Sequence, residues 1–169
     1  MNTHIMYSPI LNPENVTFRE SNPQEDSIIA QHFYQIWRDN DVPADFIRSD
    51  WLELTLQFIN QARQELYYKT FVVEVDNLVV GSASCQLFNG LYPKIFVKEY
   101  RKYGYIWNVY VESPYRNQGF AKKLISLTCD YLKLLGCTQA VLHVSPLGKP
   151  VYEGLGFQQS NQMYLDLND

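Results

Sequence analysis

The stretch "VYVESPYRNQGFAKKLI", residues 109–125, carries a β-rich run into a Gly-containing turn and out into an amphipathic helix. The helix decides what the turn can do. Phe120, Leu124, Leu127, Tyr131 and Leu135 fall on one stripe, joined by Ala121, Ile125 and Leu132, while Lys122, Lys123, Ser126, Asp130 and Lys133 lie opposite. This periodicity predicts a helix over 117–135 with Gly136 as its stop. The first N–H groups of a helix lack intrahelical partners, and the macrodipole adds about half a positive charge there. Gly119 permits close backbone approach, Ala121 keeps the next approach point small, and Arg116, Lys122 and Lys123 add positive charge. The turn therefore reads as an anion site for a phosphate or pyrophosphate. It carries neither the GxxxxGK[ST] nor the GxGxxG pattern of the common nucleotide sites. Alone, "RNQGFA" also fits an ordinary tight turn before a helix.

The rest of the chain frames that turn in a single domain, residues 1–169. A hydrophobic fraction of 46% with 15% aromatics is enough to fold around one core. Cys85, Cys129 and Cys137 form neither a CxxC pair nor a metal-ligand spacing with His, so free thiols and no metal are expected. A net charge of -4 gives no general attraction to nucleic acid or anionic lipid, so neither is an expected partner. No basic-then-apolar leader opens the chain and no run approaches about eighteen apolar residues, which predicts a cytoplasmic protein.

Elements alternate along the chain. "VTFRE" (16–20) reads as a strand, followed by a helix from about Gln24 to Arg38. Phe46, Ile47, Trp51, Leu54, Phe58 and Ala62 recur at helical spacing and predict a second helix over 44–67. "KTFVVEVD" and "LVVGSASCQLF" flank Asp76 and Asn77 as a β-hairpin. Residues 89–105 show no regular pattern, and "YIWNVYV" is the strand before the turn. After the long helix come a strand, "TQAVLHV", a short helix near 150–155 and a closing strand, "NQMYLDL". The sum is a mixed α+β fold with helices on the faces of a sheet.

Two motifs in this order resemble the GNAT superfamily of acyl-CoA-dependent N-acyltransferases. One is "VYVESPYRNQGFAKKLI", a strand, a turn of the form Arg-x-x-Gly-x-Ala and a long helix. The other is "AVLHVSPLGKPVYEGLGF", a strand, a short Tyr-bearing helix and a Gly-Phe pair, in a branch with Ser-Pro-x-Gly and a basic residue before Pro. The motifs cover roughly residues 105–157. The resemblance implies a mixed, mostly antiparallel central sheet whose parallel strand pair splays apart. It implies an N-acetyltransferase that uses acetyl-CoA as cosubstrate and a primary amine of a small molecule or peptide as acceptor. The chain would act as a monomer or homodimer. Carried over, Arg116, Asn117, Gln118, Gly119, Phe120, Ala121 and Lys122 would hold the CoA pyrophosphate. Val109, Tyr110 and Val111 would pair with the pantetheine arm, and Ser145 would bond the same arm. Tyr152 would be the catalytic acid that protonates the departing thiolate.

The resemblance leaves the general base open among Glu112, Glu74, Glu99, His143 and an ordered water. Asp39, Asp41, Asp45, Asp50 and Glu53 lie where the family lines its acceptor site, and they would attract a cationic amine or form a solvated face. "YPKIFVKEYRKYGY" fits a lid, a partner surface or a nucleic-acid patch. A CoA-binding sensor without turnover, or a transferase of longer acyl groups, is the alternative function.

Overall fold

The computed structural model describes residues 12–146 and 148–167. Five strands form one sheet in the order β1-β2-β3-β4-β5: β1 Val16–Glu20, β2 Lys69–Val75, β3 Leu78–Leu87, β4 Tyr103–Val111 and β5 Gln139–Val141. The first three pairings are antiparallel and β4–β5 is parallel, so the sheet is mixed and mostly antiparallel as expected. Asp76 and Asn77 close the β2–β3 hairpin with φ values of 50° and 64°. Two left-handed residues match the twist of the strands they join.

Helices α1 Asp26–Asp39 and α2 Trp51–Glu65 cover one face. Ile29, Ile59, Ala62, Val72 and Trp107 form the core beneath them. Helix α4, Phe120–Leu134, covers the other face through Phe120, Leu124, Ile125, Thr128 and Leu132. Close packing there depends on Gly104, where an added Cβ would lie 2.5 Å from Leu132 Cδ2. Short helices α3 Leu91–Lys94 and α5 Lys149–Glu153 complete the set, α3 within the segment that showed no pattern. Arg19 reaches both Glu25 and Glu74, tying the β1 edge to β2 and to the turn before α1.

Four boundaries differ from expectation, each for a tertiary or backbone reason. The second helix begins at Trp51, because Pro43 opens a separate single turn at Ala44–Phe46 and Arg48 then folds back onto Asp50. The long helix begins at Phe120 and not at residue 117, because Asn117 and Gly119 are left-handed, with φ of 62° and 80°. Strand β5 keeps only three ladder residues before it leaves its neighbour. The closing strand over 161–167 does not form. Met163, Tyr164, Leu165 and Leu167 are 81–95% exposed on a segment that meets no sheet edge, and an alternating pattern without an edge makes no ladder.

Candidate active site

The ladder between β4 and β5 runs only through Tyr103–Gln139, Gly104–Ala140 and Tyr105–Val141. Beyond it the strands diverge. The opposite edge of β4 is also irregular: Ser82 pairs with Tyr110 but Ser84 with Trp107, so β4 carries one extra residue there, beside Asn108 at φ 54°. Beyond Tyr105, residues Ile106 to Val109 have no ladder partner on the β5 side and border a gap. That gap opens on a cavity of about 870 Å³, lined from β4 by residues 105–109, from the β5 side by His143, Val144 and Ser145, and from α5 by Tyr152. The splayed parallel pair expected from the family is present.

The anion turn lies at one end of β4. The first intrahelical bond of α4 is donated by Lys123 N–H to Gly119 O at 3.1 Å, so the N–H groups of Phe120, Ala121 and Lys122 precede it. Nothing lies within 4 Å of a Cβ built on Gly119, so a group could approach this backbone unobstructed. Gln118 Nε2 is buried without a hydrogen-bond partner. Lys122 and Lys123 are exposed on the flank. Arg116 has a different employment: it pairs with Asp39 of α1, donates Nε–H to Val111 O at 2.8 Å and lies over the Tyr110 ring. Its side chain thus ties the turn to β4 and α1, and Asp39 is held below the usual carboxylate range by Gln35 and Arg116 against the opposing effect of burial.

Tyr152 lines the cavity, its ring edge-on to Phe157 at 5.6 Å. Burial pushes its phenol up to about 12, so it is protonated at neutral pH. Ser145 O accepts from Gly148 N–H at 3.0 Å and from Lys149 N–H at 3.2 Å, which anchors the start of α5 and so the position of Tyr152. Val109 and Ser145 both line the cavity, whereas Tyr110 and Val111 do not.

Other features of the cavity are not visible in any motif. Tyr105 Oη and His143 Nδ1 are 2.8 Å apart across the gap, a contact between β4 and the strand that leaves it. Only the proximity of the two strands reveals that pair. Phe33 and Trp37 sit four apart on α1, a spacing that puts them on one face, and with Phe58 and Trp107 they build an aromatic wall. Behind the bulge, His32 is buried with Nδ1 2.8 Å from Ser82 Oγ and Nε2 unpartnered, and burial lowers it to about 4. Glu112 Oε1 stands 3.9 Å from that Nε2, and desolvation raises its carboxyl above the ordinary value.

The loop after α1 reaches this cavity through Asn40 and Val42, but none of its carboxylate residues lines it. Asp39 and Asp50 are engaged by Arg116 and Arg48, and Asp45 lines a separate hollow of about 340 Å³ with Tyr34, Arg48 and Trp51. Neither Asp41 nor Glu53 is among the lining residues. Glu74 is bound to Arg19 on the far edge of the sheet. Among the described residues no group of three or more His, Cys, Asp or Glu side chains could hold a metal, and no helix is long and apolar enough to cross a membrane.

This fold and site define a class. Residues 29–157 match the family model described as "Acetyltransferase (GNAT) family", and the chain belongs to that family. It is an acyl-CoA-dependent acetyltransferase. The glucosamine 6-phosphate N-acetyltransferase of Trypanosoma brucei brucei is 36% identical over 106 residues, covering 62% of this chain and 69% of the relative. N-acetyltransferase 8F1 of Rattus norvegicus is 27% identical over 136 residues, 79% of this chain but only 56% of the rat protein. A predicted acetyltransferase from Clostridium acetobutylicum, solved with acetyl-CoA, shares the fold with a TM-score of 0.74 at 24% identity, covering 90% of this chain and 96% of that one.

Proposed function

We propose that the chain transfers an acetyl group from acetyl-CoA to the primary amine of a small molecule. The observation that carries this reading is the β4 edge left unpaired beyond Tyr105, which lines one cavity with His143, Ser145 and Tyr152 and leads in the chain to the left-handed turn at Asn117–Gly119. The N–H groups of Phe120, Ala121 and Lys122 at the start of α4 would receive the pyrophosphate, with the exposed Lys122 side chain beside them. Val109 to Val111 would offer main-chain groups to the two amides of the pantetheine arm, as an added strand does. Arg116 contributes by holding the turn against Val111, and Ser145 by holding the entry to α5.

At the gap the amine attacks the thioester carbonyl, whose oxygen becomes an oxyanion. A backbone N–H of the unpaired β4 edge near Val109 would stabilise it. His143, oriented by Tyr105, would accept the proton released by the amine through Nε2. Collapse then breaks the C–S bond, and Tyr152, kept protonated by its burial, gives the sulfur a proton. The products are the acetamide and free CoA.

Gly119→Asp tests the coenzyme half directly. The new Cβ meets nothing in the protein, and the left-handed backbone costs roughly 1–2 kcal/mol, so a melting curve on the same preparation accompanies the binding measurement. The introduced carboxylate would project where the pyrophosphate binds. Calorimetry is expected to find acetyl-CoA binding in the parent and at least about tenfold weaker binding in the variant, which converts to about 1.4 kcal/mol. Equal affinities would remove the turn from the site.

A further inference from the structure

The half of the cavity that faces away from the coenzyme path is walled by Phe33, Trp37, Val42, Leu54, Phe58 and Trp107. Its rings are fixed by one another. Phe33 meets Trp37 edge-on at 5.9 Å and Trp107 at 5.2 Å, and Phe58 meets Trp107 at 5.5 Å. Although they belong to this packed set, Trp37 and Phe58 remain 47% and 46% accessible, and the cavity is among the spaces they face. A preformed concave surface of this kind offers apolar area to a ligand at little ordering cost.

Three side-chain donors on this half are already engaged within the protein, and Asn108 Oδ1 is a buried acceptor without a hydrogen-bond partner. Asn40 Nδ2 donates to Ile36 O at 2.7 Å, Thr55 Oγ1 to Trp51 O at 2.7 Å, and Asn108 Nδ2 to Ile29 O at 3.0 Å. Among the described residues lining the cavity there is no Lys, Arg, Asp or Glu. A phosphate group entering this half would therefore lose water without gaining a cation, and a polyamine would lose water without gaining a carboxylate. Aromatic rings gain on both counts: they bury area against the wall and pair edge-to-face with it.

Resting on the acetyltransferase reading above, we infer that the acceptor is a small arylalkylamine, a primary amine joined by a short aliphatic link to an aromatic ring. The ring would lie among Phe33, Trp37, Phe58 and Trp107. The amine would point toward His143 and the β4 bulge. This acceptor differs in chemical class from the phosphorylated amino sugar named for the trypanosome relative, and the difference follows from the uncharged wall.

The test compares initial rates of CoA release from acetyl-CoA with phenethylamine, glucosamine 6-phosphate, spermidine and a short peptide with a free N-terminus. Expected is a kcat/KM for phenethylamine at least about tenfold above each of the others, the range that one well-filled apolar pocket supplies. Trp37→Ala, at a half-exposed position that leaves the core intact, is expected to raise KM for phenethylamine about tenfold and to leave KM for acetyl-CoA unchanged. Preference for the phosphorylated sugar, the polyamine or the peptide would overturn the inference, as would an unchanged phenethylamine KM in Trp37→Ala. Calorimetric binding of acetyl-CoA with no turnover of phenethylamine defeats the arylalkylamine assignment alone. Absence of acetyl-CoA binding defeats the underlying function with it.

Discussion

Helices α4 and α2 are both 15 residues long and both carry an apolar stripe, yet they spend it differently. Helix α4 buries Phe120, Leu124, Ile125, Thr128 and Leu132 against β2, β3 and β4, and its first turn is thereby held rigidly at the end of the β4 edge. Helix α2 buries only Ile59 and Ala62, and turns Leu54 and Phe58 toward the open cavity. The proposed coenzyme half of the site thus rests on a helix whose apolar face is consumed by the core. The proposed acceptor half is made from apolar face left over. This division suits one cosubstrate bound by backbone groups and an acceptor chosen by side chains, which substitution alters without disturbing the sheet.

The largest effect that would sharpen the contrast lies on the coenzyme half. Tyr152→Phe keeps the ring that packs on Phe157 and removes the hydroxyl. Turnover is expected to fall about 10²- to 10⁴-fold, or roughly 3–5 kcal/mol of barrier, with acetyl-CoA affinity and thermal midpoint near the parent's. Steady-state kinetics and a melting curve on one preparation decide it, and a kcat within about threefold of the parent takes Tyr152 off the catalytic list.

Next in size is Leu124→Ala. Leu124 is wholly buried under α4, so the loss is expected at about 2–5 kcal/mol of unfolding free energy, read from urea denaturation. The α1 side supplies a pH-dependent test. His32 titrates at about 4 in the folded chain against an ordinary value of 6.5, so between these pH values the unfolded chain binds more protons. Stability is then complete above the higher value and falls as pH drops toward the lower one, by up to about 3 kcal/mol. Urea midpoints measured across that range should fall in the parent and flatten in His32→Gln; parallel curves would show that His32 carries no such coupling.

The smallest stability effect is expected at Leu54→Ala on α2. Leu54 is 38% exposed and borders the cavity, so the change should cost under about 1 kcal/mol while raising KM for the acceptor. A loss as large as that at Leu124 would mean that α2 is as deeply committed to the core as α4, and would dissolve the contrast.

Much of this molecule is written locally. Alternation specified β1, β-rich composition specified β2 to β4, the Asp76–Asn77 pair specified the hairpin, and the apolar stripe from Phe120 to Leu135 specified the long helix. These features depend on residues near one another in the chain, where propensity, spacing and backbone stereochemistry act directly. Other features were decided only when distant segments met. Whether the stripe of α2 would be buried or left facing a cavity depends on how far α1 and β4 approach it, and periodicity is the same in both cases. The acidic residues between α1 and α2 read either as an attraction for cationic amines or as a solvated face, and only the folded chain shows Arg116 and Arg48 paired with Asp39 and Asp50. The Tyr105–His143 pair exists because the parallel register sets Tyr105 opposite Val141, two residues before His143, a consequence of pairing that neither strand encodes alone. Residues 161–167 make the same point in reverse: they alternate like a strand but reach no sheet edge, and a ladder needs two partners.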